Sequence, residues 1–517
     1  MIRYTPSSEI SLSLFKTPFE TALNPDNRWV LMESLVPWDD LAKVFYKRLS
    51  TNMGRGTVDL RVVLGALLVK YIEGLSDEDT ITYIQENIYA QYFVGLSSFQ
   101  AKPIFAPSLF VEIRHRLGFE GSQALNDEVI KQAKSLGVVK HRASKSTTTP
   151  STTTEAKPEV TNKGTVAVDA TVSPLHIAYP TDAGLLNHAR EHSEYLIDLL
   201  YESAPEQWPV KPRTYRRNGR KDYLLFSKKR KKNKKLIRQA VGKQLRYLRR
   251  NIGTLHRMLD QLEDQALPIV WAHQDWRNFW IIQELYRQQE ILYRDGRKRI
   301  DDRIISIEQP HARPIKRGKP GKKDTEFGPK MNVSLSEGIA RVDQVDFNNF
   351  NESTYLQDQI EAYKVLYGYY PQVVLADKIY RTRANRKYLK DRNIEMSGPP
   401  LGRKQRLSKS QKERQRKRNN KRNAIEGKFG QAKLKYGLDE LFTRRPDTTK
   451  AEINLIFMAI NLLKMAKAIS LTSFNLYKRL DEALGGVLKR WKQANNISYT
   501  FPIEIPLFGQ RLLIKTA

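Results

Sequence analysis

Three carboxylates lie in segments that a fold could bring together. Asp169 follows the apolar run Val166-Ala167-Val168, and Asp377 follows the run QVVLA. Short apolar runs of this kind predict buried strands. Glu426 lies in the stretch 419–433, where small and apolar residues recur at helical spacing, so it is predicted to lie on a helix. A helix packed across the ends of two neighbouring strands would place the three carboxylates in one site.

Three carboxylates in one site can hold two Mg²⁺ ions about 3.5–4 Å apart. Such a pair activates water or a 3′-hydroxyl for in-line attack on a phosphodiester and stabilises the leaving oxygen. Mg²⁺, with Mn²⁺ as its substitute, prefers oxygen ligands, which agrees with a chain that has no cysteine and only 8 histidines. Two simpler readings stay open here. An Asp at a strand end often caps a turn, and Glu426 could be only the ion-pair partner of Arg422.

The charge of the chain points to a polyanionic partner. Its 517 residues include 88 Lys and Arg against 56 Asp and Glu, a net charge of +32. Residues 211–250 hold 18 Lys and Arg and a single acid, with Tyr and Phe between them, and residues 403–435 hold another 14 cations. Cations release counterions from phosphates and aromatic rings stack on bases, so both segments are predicted to contact nucleic acid. The densest run is predicted to bind DNA and consists of Lys228, Lys229, Arg230, Lys231 and Lys232.

Other features of the sequence indicate where in the cell the protein acts. The absence of cysteine excludes disulfides and thiolate metal sites, and it suits a reducing cytoplasm. The first residues lack the apolar core of a signal peptide, and no run of apolar residues long enough to cross a membrane is found. We therefore expect a cytoplasmic protein without a membrane span.

The pattern divides the chain into four parts. Residues 1–140 are predicted to form a helical domain for DNA binding or oligomerisation. Residues 141–163 are rich in Ser, Thr and Pro and are predicted to form a flexible linker. Residues 164–470 alternate strands and helices, with a basic helical insertion at about 186–300 and predicted strands at 303–308, 326–336 and 339–345. Residues 471–517 form an unassigned C-terminal tail.

These motifs resemble those of the DDE transposases of bacterial insertion sequences, in the large group named for insertion sequences four and five. The resemblance rests on VAVDATVSPLHIAYPTDAG, RPIKRGKPGKKDTEFGPKMNVSL, VVLADKIYRTRANRKYL and RNAIEGKFGQAKLKYGL, and on the helical region 30–118. It covers most of residues 30–465. The Tyr-Arg-Glu-Lys signature of that group matches the spacing of Arg422, Glu426 and Lys433, with Asn419 in place of its Tyr.

The resemblance implies an α/β fold. It would contain a ribonuclease H-like catalytic domain, in which helices flank a mixed sheet, with a large helical insertion and a preceding all-α domain. It also implies Mg²⁺-dependent cleavage of double-stranded DNA at terminal inverted repeats, and strand transfer into a target. Asp169 would bridge both metal ions, while Asp377 and Glu426 would each bind one. Arg422 and Lys433 would contact DNA phosphate near the scissile bond. A homodimer or a larger synaptic complex is expected, because two ends must be cut together.

Three alternatives compete with this expectation. The first is a DNA-binding protein that keeps the fold and has lost activity. The second is another ribonuclease H-like nuclease, which would cut without joining. The third is a structural nucleoid protein, which would bind DNA without Mg²⁺ dependence.

Overall fold

The computed structural model describes residues 3–6, 16–17, 22–48, 57–141, 162–316, 325–398, 408–495, 503–507 and 510–514, with the backbone alone after residue 470. Residues 142–161, the greater part of the predicted linker, lie outside this range. Six helices precede the first strand: α1 (Arg28–Glu33), α2 (Trp38–Tyr46), α3 (Leu60–Glu73), α4 (Asp77–Glu86), α5 (Ile88–Phe93) and α6 (Ser108–Ser135).

The later elements alternate between strands and helices. They are β1 (Thr165–Val172), α7 (Asp182–Ser203), α8 (Arg216–Ser227), α9 (Lys234–Asp264), α10 (His273–Asp295), β2 (Pro314–Lys316), β3 (Thr325–Phe327), β4 (Lys330–Ser336), β5 (Ile339–Asp346), α11 (Leu356–Tyr367), β6 (Val373–Ala376), α12 (Arg383–Lys390), β7 (Glu395–Met396), α13 (Lys409–Tyr436), α14 (Pro446–Asn495), β8 (Ile503–Leu507) and β9 (Gln510–Ile514).

The helical character predicted for residues 1–140 is confirmed in the part that the structure describes. α6 consists of two helical halves that meet at a kink at Gly118, where φ is 54°. Glycine adopts such a positive φ at little cost, so the chain can change direction there. α3 is buried along nearly its whole length, as its continuous apolar sequence predicts.

A five-stranded mixed sheet forms the centre of the molecule, in the order β5-β4-β1-β6-β7. β4 runs antiparallel to both β1 and β5, while β6 runs parallel to β1 and β7. The strand predicted at 339–345 is confirmed as β5. The strand predicted at 326–336 is divided into β3, which pairs with β2 in a separate sheet, and β4, which forms an antiparallel pair with β5. β1 is the middle strand, and Val166, Ala167 and Val168 are buried in it.

The N-terminal helices and the sheet share one hydrophobic core. α6 packs along α14, which in turn packs on β5. Asn461 of α14 joins all three, because its amide donates to Asn126 of α6 at 2.9 Å and to the backbone carbonyl of Ala340 at 2.7 Å. The division predicted at 141–163 thus falls between two parts of the chain that fold against each other.

Helices α7 to α10 lie between β1 and β2 and pack around a second hydrophobic core. The strand predicted at 303–308 is wrong, since this segment returns from the insertion without forming a sheet ladder. Ile304 and Ile307 are buried in the core of the insertion, whereas Ile305 is buried in the main core. Two cores on opposite sides therefore produce the strand-like apolar pattern without a neighbouring strand.

α14 is the longest helix among the described residues and extends into the predicted C-terminal tail. Its segment Pro446–Ser470 is long and apolar enough to cross a membrane by length and composition, contrary to the expectation from sequence. That segment lies mostly buried against α6 and the sheet, which is the behaviour of a core helix. β8 and β9 form an antiparallel hairpin in the rest of the tail.

Candidate active site

The two aspartates lie at the same level of neighbouring parallel strands. Val168 of β1 pairs with Ala376 of β6 in the last pair of the two strands, and Asp169 and Asp377 are the next residues. Asp377 directly follows β6, whereas β1 continues for three residues beyond Asp169, so the prediction that Asp169 ends its strand is wrong. Neighbouring strands are about 4.8 Å apart, so both carboxylates start from adjacent backbone positions. Asp377 also accepts a hydrogen bond from the backbone amide of Lys378 at 2.7 Å, which places its side chain at the strand end.

Helix α13 brings the third carboxylate to this edge. The helix packs on β1 and β6 through a buried face that includes Ile425, Phe429 and Ala432. It begins with a capping box between Ser408 and Gln411, which satisfies its first amide groups. Glu426 lies on the solvent side of this face, with its side chain 56% exposed.

Arg422 links the helix carboxylate to the strand carboxylate. Its guanidinium lies 3.2 Å from Glu426 Oε1 and 3.7 Å from Asp169 Oδ2. Arg422 is one turn before Glu426, so both side chains leave the same face of α13. The intrahelical pair that sequence reasoning gave as the simpler reading does exist, and the same arginine also reaches Asp169.

Asp169 lies in an unfavourable setting for a negative charge. Burial raises the pKa of Asp169 to about 6, and the charges of Glu352 and Asp377 act in the same direction. The amide of Ala170 and the guanidinium of Arg422 oppose this rise. The side chain is 20% exposed, so a cation that reaches it from solvent would be strongly attracted.

A fourth acid and two polar side chains support the site, and sequence reasoning missed all three. Glu352 lies close enough to affect Asp169 and pairs with Lys330 at 2.9 Å. Buried Tyr380 donates to Asn332 Oδ1 at 3.3 Å, and the amide of Asn332 donates to the backbone carbonyl of Glu352 at 3.2 Å. No local pattern marks these residues, because only the sheet brings 332, 352 and 380 together.

Cations surround the carboxylates on α13 and near the end of β6. Arg381 lies near Asp377 and Arg422, and burial lowers its pKa, as does the charge of Arg386. Lys428 lies almost wholly buried, and burial lowers its pKa to about 8. The first half of α13 borders a cleft of about 430 Å³ lined by Arg414, Lys417, Arg418 and Lys421.

The structure does not place all the predicted DNA-binding residues at the carboxylates. Lys433 lies two turns beyond Glu426 on α13 and is half-buried. Lys228, Lys229, Arg230, Lys231 and Lys232 occupy an exposed loop between α8 and α9 in the insertion. Two rings predicted to stack on bases are covered by cations of the same segment, since Arg250 lies over Tyr215 and Lys232 over Phe226.

Two segments of the chain match models of known protein families. Residues 374–463 match the family model described as Transposase DDE domain, and residues 18–116 match the model described as Transposase domain (DUF772). The two matches indicate a transposase. The "Uncharacterized protein ORF8 in nfe locus" of Rhizobium meliloti is 28% identical over 190 residues, which are 35% of this chain and 81% of that protein. No solved structure matches the chain.

The transposase matches fall on both sides of the central strand. The DDE match includes Asp377, Arg422 and Glu426, together with the start of α14. The other transposase match spans α1 to α5 and ends inside α6. Both matched regions contribute to the same hydrophobic core, so the two transposase segments fold as one body around β1.

Proposed function

We propose that the protein is the DNA transposase of a bacterial insertion sequence, in the group named for insertion sequences four and five. It would bind the terminal inverted repeats of its element, cleave the DNA there and join the ends to target DNA. The observation that carries the proposal is the alignment of Asp169 with Asp377 on parallel strands, with Glu426 linked to Asp169 through Arg422. The transposase matches make this chemistry the first choice.

The donor chemistry of the site suits a hard divalent cation. Asp169, Asp377 and Glu426 offer only carboxylate oxygens, which Mg²⁺ and Mn²⁺ prefer. Burial raises the pKa of Asp169, and the charges of Glu352 and Asp377 add to the rise, so a bound cation would stabilise the ionised carboxylate. When bound, two such ions would activate an attacking hydroxyl and stabilise the leaving oxygen. Asp169, on the middle strand, would contact both ions, and Asp377 and Glu426 one each.

The protein's own cations would position the DNA. Arg422 lies beside Asp169 and Glu426, and it would turn to a phosphate oxygen once cations bind the two carboxylates. Lys433 and the cleft beside Arg414, Lys417 and Arg418 would hold the backbone on either side. The exposed loop 228–232 would contact a more distant part of the duplex.

The architecture supports a ribonuclease H-like catalytic domain, because helices flank a mixed sheet whose central strand carries the first carboxylate. The basic helical insertion follows that strand directly. We further propose a homodimer or a larger synaptic complex, since two transposon ends must be cut together. The protein would act in the cytoplasm, on double-stranded DNA of the nucleoid.

The first experiment is cleavage of a labelled duplex that carries the inverted repeat of the element, with Mg²⁺ or with EDTA. Wild-type protein should cut only with the metal, and Glu426→Gln should lose at least a hundredfold in rate while it still binds the duplex. Glu112→Gln is the matched control, because Glu112 is similarly exposed and likewise pairs with an arginine one turn away, Arg116 on α6. The control should cut at the wild-type rate.

Three outcomes would contradict parts of this proposal. Near-normal cleavage by Glu426→Gln would remove this residue from the catalytic set. Duplex binding without cleavage by the wild-type protein, with two ends supplied together, would favour a DNA-binding protein that has lost activity. Cleavage without strand transfer would favour a nuclease.

A further inference from the structure

A second cluster of metal-ligating side chains lies away from the candidate active site. His188 and His192 are one turn apart on α7, so both rings lie on one face of the helix. Glu308 comes from the segment that returns from the insertion, more than a hundred residues later. The ligand atoms of the three side chains all lie within 4.8 Å of one another. Among the described residues, the Asp169, Asp377 and Glu426 set does not reach this proximity.

The distances between the ligand atoms of this cluster are close to those between ligands around a metal ion. The Nε2 atoms of His188 and His192 lie 3.6 and 3.8 Å from Glu308 Oε1. Good hydrogen bonds join nitrogen and oxygen at about 2.7–3.2 Å, so both contacts are too long for one. Ligands on a tetrahedral ion with bonds of about 2.0–2.1 Å are about 3.4 Å apart. An ion between the three side chains would need only a small closing movement.

Two neighbouring side chains hold Glu308 in this position. Ser306 Oγ donates to Glu308 Oε2 at 3.0 Å, which leaves Oε1 directed at the two histidines. Arg277 of α10 donates to the backbone carbonyl of Glu308 at 3.0 Å. These two bonds hold the carboxylate beside the two histidines.

The exposure of the cluster suits an ion that keeps a water ligand. The side chains of His188 and Glu308 are 47% and 42% exposed, and that of His192 is 28% exposed. An ion could thus reach the site from solvent and complete its coordination with water. The two imidazole rings are 4.9 Å apart, centre to centre, so neither blocks the other.

We propose that His188, His192 and Glu308 bind one transition-metal ion, of which Zn²⁺ is the best fit. Two imidazoles and one carboxylate suit Zn²⁺, whereas Mg²⁺ prefers oxygen ligands alone. The site therefore differs in chemistry from the three-carboxylate site and selects a different ion. The inference does not depend on transposase activity.

The position of the ion would give it a structural role. α7 is the first helix of the insertion, and residue 308 lies on the segment by which the chain returns to the sheet. Arg303, on the returning segment, already donates to Asp182 Oδ1 of α7 at 2.5 Å, and Gln289 of α10 donates to the same oxygen at 3.1 Å. The ion would add a second link, which would stabilise the basic insertion against the catalytic sheet.

The test is a titration of tag-free protein with Zn²⁺ against a chromogenic chelator, after treatment with EDTA and in excess Mg²⁺ to occupy the carboxylate site. Wild-type protein should bind one Zn²⁺ per chain. His188→Asn, His192→Asn and Glu308→Gln should each weaken binding by tenfold or more. His256→Asn is the matched control, because His256 lies in the same insertion and pairs with Gln283. Its affinity should equal that of the wild type.

Thermal unfolding completes the experiment. Zn²⁺ should raise the Tm of the wild type and of His256→Asn but not that of the three ligand variants, because an ion bound only to the native state stabilises it. Without metal, all the proteins should unfold within a few degrees of one another, which shows that the variants fold. Absence of Zn²⁺ binding by the wild type, or equal binding by Glu308→Gln, would overturn the proposal.

Discussion

At the scale of the residue, Arg422 is the side chain on which the candidate active site is organised. It lies 3.7 Å from Asp169 and 3.2 Å from Glu426, and its charge opposes the rise in the pKa of Asp169. A cation bound by the carboxylates must compete with this guanidinium. We therefore expect Arg422 to weaken metal binding and to strengthen DNA binding.

Arg422→Gln should separate these effects. Loss of the guanidinium should tighten Mn²⁺ binding by about tenfold, since neighbouring charges in such sites interact by about 1–2 kcal/mol. The same change should weaken DNA binding and slow cleavage. Calorimetric titration with Mn²⁺ and a duplex-binding assay measure the two effects. Arg418→Gln, one turn earlier and paired with Glu395, should leave Mn²⁺ affinity unchanged. Weaker Mn²⁺ binding by Arg422→Gln would contradict this account.

At the scale of the element, contacts with distant residues fix the first residue of the predicted linker. His141, at the start of the predicted linker, packs against Tyr363 and Tyr367 of α11. Its Nε2 lies 2.8 Å from Ser336 Oγ of β4. Composition predicted a flexible linker from this residue, but His141 itself is fixed to the sheet and to α11. Burial lowers the pKa of His141 to about 4, and the charge of Lys134 acts in the same direction.

This lowered pKa predicts a loss of stability in mild acid. Between pH 6.5 and about 4 the unfolded chain binds a proton that the native protein does not, so the free energy of unfolding falls as the pH falls. From pH 7 to pH 5 we expect His141 to contribute a loss of about 1–2 kcal/mol, reduced by its partial exposure to solvent. Urea unfolding of wild type and His141→Gln at both pH values measures it. The loss should be smaller in the variant; an equal loss would show that other groups cause it.

At the scale of the whole molecule, the N-terminal helices and the sheet form one folding unit. α6 packs on both α14 and β5, and Gln123 and Asn126 donate to the carbonyls of Val342 and Ala340. Removal of α6 would expose the apolar face of α14, take away the side-chain donor to Val342 and leave Ala340 with only the amide of Asn461. The transposase segments on either side of the predicted linker therefore depend on each other for stability.

Cleavage of the chain in the predicted linker tests this dependence. A protease site inserted between residues 142 and 161 should allow the chain to be cut, and both pieces should still elute together with one unfolding transition. A chain that begins at residue 162 should be insoluble or lack near-ultraviolet circular dichroism. A fragment 162–517 that unfolds cooperatively by itself would instead support separate domains.

The sequence by itself determined the local features of this protein. The apolar runs before Asp169 and Asp377 form β1 and β6, and the helical spacing around Glu426 forms α13, because these patterns depend on neighbours a few residues away. It also showed the strong positive charge, which tertiary structure cannot change. The strand predicted at 303–308 failed, because its apolar pattern reflects burial between two cores rather than strand pairing.

Only the tertiary structure decided which distant residues meet. The parallel pairing of β1 with β6 aligns Asp169 with Asp377, and the packing of α13 lets Arg422 reach Asp169. The same holds for Glu352 and for Glu308, which lie far along the chain from the groups that they affect. These contacts arise from strand order and from the packing of helices on a shared core. Both are properties of the whole chain that no local pattern contains.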